Sequence, residues 1–253
     1  MPHSGRMDGY AALPAPPSLD DLLASAPHAL FLDFDGTLID LAPTPDTIRV
    51  PDTLPARLAE LSARLGGRLA LVSGRATRDL ERHLGPITIA RAGSHGAARL
   101  LADGSTLGDA PTALPAEIVP ELKGFATLHD FAWEDKPHGA ALHYRGRPEL
   151  EETGLQFAGD FAARHGLQVK RGKCVIEIVR PGADKGAAVR AFMAVEPFEG
   201  AVPVFVGDDV TDEDGFAAVS ALGGFGIAVG DRPSEGARFH ISDVAEVHEW
   251  LAM

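Results

Sequence analysis

Asp33 and Asp35 stand one residue apart at the end of an apolar run, Ala29-Leu30-Phe31-Leu32, and are followed by Gly36-Thr37-Leu38. Side chains alternate along a strand, so the two carboxylates share a face while Phe34 points away. Gly36 supplies the permissive backbone that a turn at the strand's end requires. Two anions held together repel, and a divalent cation with hard oxygen ligands relieves that repulsion. A solvated aspartate pair at a strand end is the plainer alternative.

Two more apolar runs end in polar residues. Leu69 to Val72 leads into Ser73-Gly74-Arg75, and Pro203 to Val206 leads into Gly207-Asp208-Asp209-Val210-Thr211-Asp212-Glu213-Asp214. Between them Asp184-Lys185-Gly186 opens a helical stretch. Ser73 offers its hydroxyl either to an anion or, as N-cap, to the helix expected over Ala76 to Leu84. The acidic residues 212–214 suit a helix start, whereas Asp208 and Asp209 directly after a buried strand are harder to explain that way.

These runs alternate with amphipathic segments such as Leu54 to Leu65, and Thr88 to Ala92 reads as a further strand. Strand, helix, strand, helix is the signature of a parallel sheet with helices on both faces. The same texture returns after Lys185: a helix over Ala187 to Met193, a strand over Val202 to Val206, a helix over Phe216 to Leu222, a strand over Gly226 to Val229 and a closing helix over Val244 to Leu251. From about Ala102 to Pro181 the texture changes. A helix near Glu117 to Leu128 precedes strands over Phe131 to Lys136 and Ala140 to Arg145, joined by Pro137-His138-Gly139. A helix over Glu149 to His165 precedes strands over Leu167 to Arg171 and Cys174 to Val179, joined by Gly172-Lys173. Helix and hairpin, twice over, make an inserted α+β unit. The expected division is a core of residues 1–104 and 182–253 with a cap of 105–181.

The chain has 253 residues, 36 Asp plus Glu against 23 Lys plus Arg, and a formal net charge of −13. That acidity and the lack of a basic stripe argue against nucleic acid as a partner. Cys174 is the single cysteine, so no intramolecular disulfide can form. No apolar run approaches membrane-spanning length, and Met1 to Leu23, rich in Pro and Ala, lacks the basic-then-apolar order of a signal peptide. A cytoplasmic enzyme is the expectation.

The order Asp-x-Asp-Gly-Thr-Leu, strand-Ser, Lys, strand-Gly-Asp-Asp resembles the four motifs of the haloacid dehalogenase (HAD) superfamily of phosphotransferases. The resemblance implies an HAD-like doubly wound parallel sheet with an inserted cap. It also implies Asp33 as a nucleophile forming an aspartyl-phosphate and Asp35 as general acid and base. Gly36, Thr37, Ser73, Gly74 and Lys185 would bind phosphate. Mg²⁺ would be held by Asp33, Asp208 and the backbone carbonyl of Asp35, with Asp209 and Asp212 in support. A phosphate ester is an anion, so an acidic protein needs such a local cation to admit it.

Within the cap, alternation sets Glu134 with Lys136, His143 with Arg145, and Lys173 with Glu177 on shared strand faces. Such a face suits sugar hydroxyls, and equally a solvated face with cross-strand ion pairs. Together with Ser73-Gly74-Arg75 and Gly93-Ser94-His95-Gly96, the segments Glu134-Asp135-Lys136, His143-Tyr144-Arg145 and Gly172-Lys173-Cys174-Val175-Ile176-Glu177 resemble the trehalose-phosphatase family. On that resemblance Arg75, His95, Glu134, Lys136, Arg145, Lys173 and Glu177 would contact a disaccharide phosphate, trehalose 6-phosphate being the substrate implied. Ala98 departs from the family, which usually carries an acidic residue there. Two other readings stay open: a phosphatase of the same fold acting on a sucrose, glucosylglycerol or mannosylglycerate phosphate, and a non-catalytic partner of trehalose-6-phosphate synthase. The second is disfavoured because Asp33, Asp35, Lys185 and Asp208 are all present.

Overall fold

The computed structural model describes residues 13–42, 47–109, 112–136, 138–172, 174–182 and 184–253. The first part of the chain forms α1 (Leu19–Ser25), β1 (His28–Leu32), α2 (Leu54–Arg64), β2 (Leu69–Val72), α3 (Thr77–Leu84), β3 (Ala90–Gly93) and β4 (Ala98–Leu100). The inserted unit comprises α4 (Val119–Leu128), β5 (Ala132–Lys136), β6 (Gly139–His143), α5 (Glu151–His165), β7 (Gln168–Gly172) and β8 (Val175–Val179). The chain then adds α6 (Lys185–Met193), β9 (Val202–Gly207), α7 (Asp212–Ala221), β10 (Phe225–Val229), β11 (Ala237–Ile241) and α8 (Val244–Trp250).

Every residue of β1 and of β2 is buried, as strands covered on both faces require. They belong to a seven-stranded sheet in the order β11-β10-β9-β1-β2-β3-β4. All pairings are parallel except that of the edge strand β4 with β3. One face buries Leu54, Leu58 and Leu61 of α2, Leu80 and Leu84 of α3 and Val247 of α8 against the sheet; the other buries Val189 and Phe192 of α6 and Phe216 and Val219 of α7. The chain moves outward from β1 through β2 and β3 on one side and from β9 through β10 on the other. The carboxyl ends of β1 and β9 therefore flank the topological switch point, where open α/β sheets bind ligands.

The second sheet is antiparallel in the order β5-β6-β8-β7. Ala140, Leu142, Ile176 and Ile178 pack with Leu122 of α4 and Phe161 of α5, so its helices lie on one face. The opposite face carries the residues of opposite parity. Among the described residues no helix is long and apolar enough to cross a membrane.

Several local details differ from expectation. The elements α1, β4 and β11 were not anticipated; β4 is a three-residue edge strand with only partly buried side chains, too short for periodicity to show. The helix after β2 starts at Thr77 with Ala76 as its N-cap, so Ser73 does not cap it. Gly172 pairs with Val175, so β7 runs through Gly172, and Cys174 has φ +59°. Lys136 pairs with Gly139, so β6 begins one residue earlier than expected. The strand β6 ends at His143, and Arg145 is exposed in the turn beyond it. Pro137 and Lys173, the latter a predicted sugar contact, lie outside the described residues.

Candidate active site

Asp33 follows β1 directly and donates its backbone N–H to Val206 O of β9 at 2.9 Å, which locks the two strand ends together. Its side chain is almost wholly buried. Lys185, on the first turn of α6, donates from Nζ to Asp33 Oδ1 at 2.8 Å and to Asp212 Oδ1 at 2.6 Å. Asp184 caps that helix by accepting from Ala187 N–H at 2.6 Å, so the cap residue fixes the direction in which the lysine leaves the backbone. Asp212 begins α7 and also accepts from Asp209 N–H at 2.9 Å. Thr37 donates its hydroxyl to Asp208 Oδ1 at 3.3 Å.

Carboxylate oxygens of Asp33, Asp208 and Asp212 lie within 4.8 Å of one another. Burial raises the pKa of all three; Asp208 and Asp209 add to the rise at Asp33, and Asp212 is lifted to about 7. Lys185 opposes this rise, and although burial works against its own charge, Asp212 and Asp33 hold its pKa above the ordinary value. One ammonium thus faces three crowded carboxylates. The donor set is all hard oxygen, partly buried and short of positive charge, and it fits a divalent cation such as Mg²⁺.

Asp35 behaves differently from its neighbour. Arg75 grips it through two donors, Nε to Oδ2 at 2.6 Å and Nη2 to Oδ1 at 2.7 Å, and donates from Nη1 to Asp79 Oδ2 at 2.9 Å. The fork fixes the orientation of a carboxylate that is still 28% exposed. Ser73 is buried, and its Oγ accepts from Arg75 N–H at 3.1 Å. His95 reaches the site through a backbone that few residues adopt: Ser94, His95 and Gly96 all have positive φ. The segment is held by Ser94 N–H to Arg75 O at 2.7 Å and His95 N–H to Ser73 O at 3.0 Å. Gly74 makes room for it, because a Cβ there would lie 2.6 Å from the imidazole Cε1.

From the second sheet, Glu177 faces this group. Its Oε2 lies 3.3 Å from His95 Nε2 and its Oε1 3.2 Å from Lys136 Nζ, which in turn is 3.2 Å from Glu134 Oε1. His143 Nε2 is 2.7 Å from Glu134 Oε2. Burial would raise the pKa of Glu177, yet His95 and Lys136 bring it down to about 2. Lys136 loses from burial and gains more from Glu177 and Glu134, ending above its usual value. Of the predicted residues, the structure gathers Asp33, Asp208, Asp212 and Lys185 in one group, Asp35 with Arg75 in a second, and His95, Glu134, Lys136 and Glu177 in a third. Ala98 opens β4 opposite Gly93.

His143, Asp79 and Lys170 were absent from the predicted site. Lys170 pairs with Glu177 in the β7–β8 ladder, so the register of that hairpin was the signal that would have found it. Placing the turn one residue early concealed the pairing.

An open, mostly parallel sheet with Asp-x-Asp at its central carboxyl end, a buried lysine and an acidic loop after the neighbouring strand makes an HAD-like α/β fold. The trehalose-phosphatase family profile matches residues 31–240. Trehalose-6-phosphate phosphatase of Escherichia coli K12 is 38% identical over 232 residues, covering 90% of this chain and 87% of that protein. A probable trehalose-phosphate phosphatase of Sinorhizobium fredii is 44% identical over 214 residues, covering 80% and 77%. The C-terminal domain of C. albicans trehalose-6-phosphate phosphatase superposes with a TM-score of 0.81 at 23% identity, over 96% of this chain and 98% of that one. The chain belongs to the trehalose-phosphatase family.

Proposed function

We propose that this enzyme hydrolyses trehalose 6-phosphate to trehalose and inorganic phosphate in the cytosol, with residues 105–181 acting as the sugar-recognising cap. The observation that carries the reading is the contact of Glu177, itself paired with Lys136, with His95, which brings a polar face of the second sheet to the core residues beside the carboxylate cluster.

In this reading Asp33 attacks phosphorus, forming an aspartyl-phosphate as the bond to the sugar oxygen breaks. Asp35 donates a proton to that oxygen and then accepts one from the water that hydrolyses the intermediate. Arg75 orients Asp35 for both transfers. Lys185 and Ser73 hold phosphoryl oxygens. Asp33 and Asp208, with Asp212 beside them, would hold Mg²⁺, which would supply positive charge to the phosphoryl group. Glu134, Lys136, Arg145, Lys173, Glu177 and His95 present hydrogen-bonding groups to sugar hydroxyls, and a site built that way rejects substrates lacking them.

The test is phosphate release by purified protein across trehalose 6-phosphate, sucrose 6-phosphate, glucose 6-phosphate and a small aryl phosphate, with Mg²⁺ and with chelator. Preference for the first, abolished by chelator, is expected. Equal turnover of all four would overturn the cap assignment and leave the catalytic core standing.

A further inference from the structure

The ladder of the second sheet aligns one row of side chains across all its strands: Glu134 pairs with Ala141, Ala141 with Glu177, and Glu177 with Lys170. Directly paired residues share a face, and this face is the one without helices. Lys170 therefore stands beside Glu177 on the surface turned to the core. Its side chain is 14% exposed, and Nζ lies 3.6 Å from Asp214 Oδ2 on the first turn of α7, too far for a hydrogen bond. Among the described residues Nζ has no hydrogen-bond partner at all.

It is not alone in this. His138 is 2% exposed with neither ring nitrogen bonded, and His95 Nδ1 lacks a partner too. His138 sits within electrostatic reach of Glu177, His95, Lys136 and Lys170. Among the described residues, four of the seven buried side-chain polar atoms without a partner belong to Lys170, His138 and His95, and His138 interacts with both of the others. A buried ammonium without an acceptor is costly, and buried polar groups in folded proteins nearly always have partners.

We propose that Lys170 is a specificity-determining residue that donates to a sugar hydroxyl beside Glu177 when substrate occupies the crevice. The inference rests on the reading of this site as a sugar-phosphate phosphatase and adds a contact to it. Asp214 supplies the competing role: if Lys170 merely ties β7 to α7, removing either partner has the same effect. A sugar contact makes the two variants differ.

The experiment measures steady-state kinetics and melting temperature for wild type, Lys170→Met, Lys170→Arg and Asp214→Asn on trehalose 6-phosphate and on a small aryl phosphate. For Lys170→Met the preference for trehalose 6-phosphate over the aryl phosphate is expected to fall roughly 10- to 100-fold, mostly through KM, the size of one lost charged hydrogen bond. Lys170→Arg restores part of it, and Asp214→Asn keeps the wild-type preference. An unchanged preference in Lys170→Met, or an equal loss in Asp214→Asn, overturns the sugar contact. Should Lys170→Met fail to fold, the arginine variant decides, since an unchanged KM there together with a raised KM in Asp214→Asn also overturns it. A wild-type enzyme inactive on trehalose 6-phosphate overturns the underlying reading, an outcome distinct from an active wild type with an unaffected Lys170→Met.

Discussion

Replacing Lys185 by methionine keeps most of the side chain's volume and removes the one charge at a point where three carboxylates converge. Its Nζ lies 2.8 Å from Asp33 and 2.6 Å from Asp212, and the residue is 2% exposed. At an effective dielectric constant of ~20, each contact carries ~6 kcal/mol of Coulomb attraction before desolvation is counted. Burial cancels much of that, and breaking a buried pair by removing one partner costs about 3–5 kcal/mol. For a chain of this length that is a fall of about 6–20 °C in Tm. Bound Mg²⁺ offsets the same carboxylates, so the loss is larger in chelator than in saturating metal. Without Lys185 the folded-state pKa values of Asp33 and Asp212, already raised by burial, rise further above their unfolded values. Above about pH 7 the folded variant then binds more protons than the folded wild type, so the deficit shrinks as pH falls toward about 7. Turnover falls on the order of 10²–10³-fold, as for loss of one preorganised donor to a charged transition state. Circular dichroism melts with and without chelator, together with kcat on trehalose 6-phosphate, test this. A variant within about 2 °C of wild type in chelator and within about fivefold in kcat would refute the reasoning.

Two further substitutions probe separate parts of the site. Gly36 has φ +84°, and a Cβ there would lie 2.2 Å from Asp208 Oδ2. Gly36→Ala should cost about 1–2 kcal/mol of backbone strain and, by displacing Asp208, weaken Mg²⁺ binding; wild-type affinity by titration calorimetry would contradict this. Glu177 has its pKa depressed from 4.5 to about 2. It therefore contributes stability that is fully present above the unfolded value and is lost as pH falls through the folded one, on the order of 3 kcal/mol in all. Glu177→Gln lacks that dependence, so the wild-type advantage in Tm should vanish between about pH 4.5 and about pH 2. An advantage that stays constant across the window would show that Glu177 is not held by these partners.

The core was legible because buried parallel strands leave uninterrupted apolar runs: Ala29 to Leu32, Leu69 to Val72 and Pro203 to Val206 all became strands ending at the crevice. What failed were elements whose signal is pairing rather than composition. The edge strand β4 has three residues and takes its identity from Gly93 and its neighbours across the ladder. The first hairpin's loop was read one residue too long, a slip that exchanges the faces of a strand. At the second, setting the turn one residue early shifts the pairing by two, which keeps the faces but puts Lys170 opposite Val175 instead of Glu177. The pairing of Asp35 with Arg75, separated by 40 positions in sequence, depends on β1 and β2 being neighbours. Motif order implied both residues at the site, but only the tertiary arrangement places the guanidinium on that carboxylate.

The electrostatics of the crevice explain why an acidic protein can be built around an anionic substrate. Five carboxylates, Asp33, Asp35, Asp208, Asp209 and Asp212, border the carboxyl ends of β1 and β9, against two cations, Lys185 and Arg75. Neither cation is unengaged: Lys185 is divided between Asp33 and Asp212, and Arg75 between Asp35 and Asp79. With three more negative charges than positive in this set, the protein's own groups do not form an anion site. A phosphate dianion entering it would meet repulsion in a medium of low dielectric, where such terms are largest. A divalent cation held among Asp33, Asp208 and Asp212 would cut that excess from three charges to one, place positive charge beside the phosphoryl group and compete with Lys185 for the same carboxylates. On the proposed chemistry the carboxylates therefore serve two ends: they select the metal, and by consuming the protein's cations they make phosphate binding conditional on it. From the second sheet, Lys136 is itself shared by Glu134 and Glu177, and Lys170 lies 3.6 Å from Asp214. On the proposed reading the second sheet contributes directional hydrogen bonding to the sugar, which leaves charge neutralisation to the core and discrimination to that sheet.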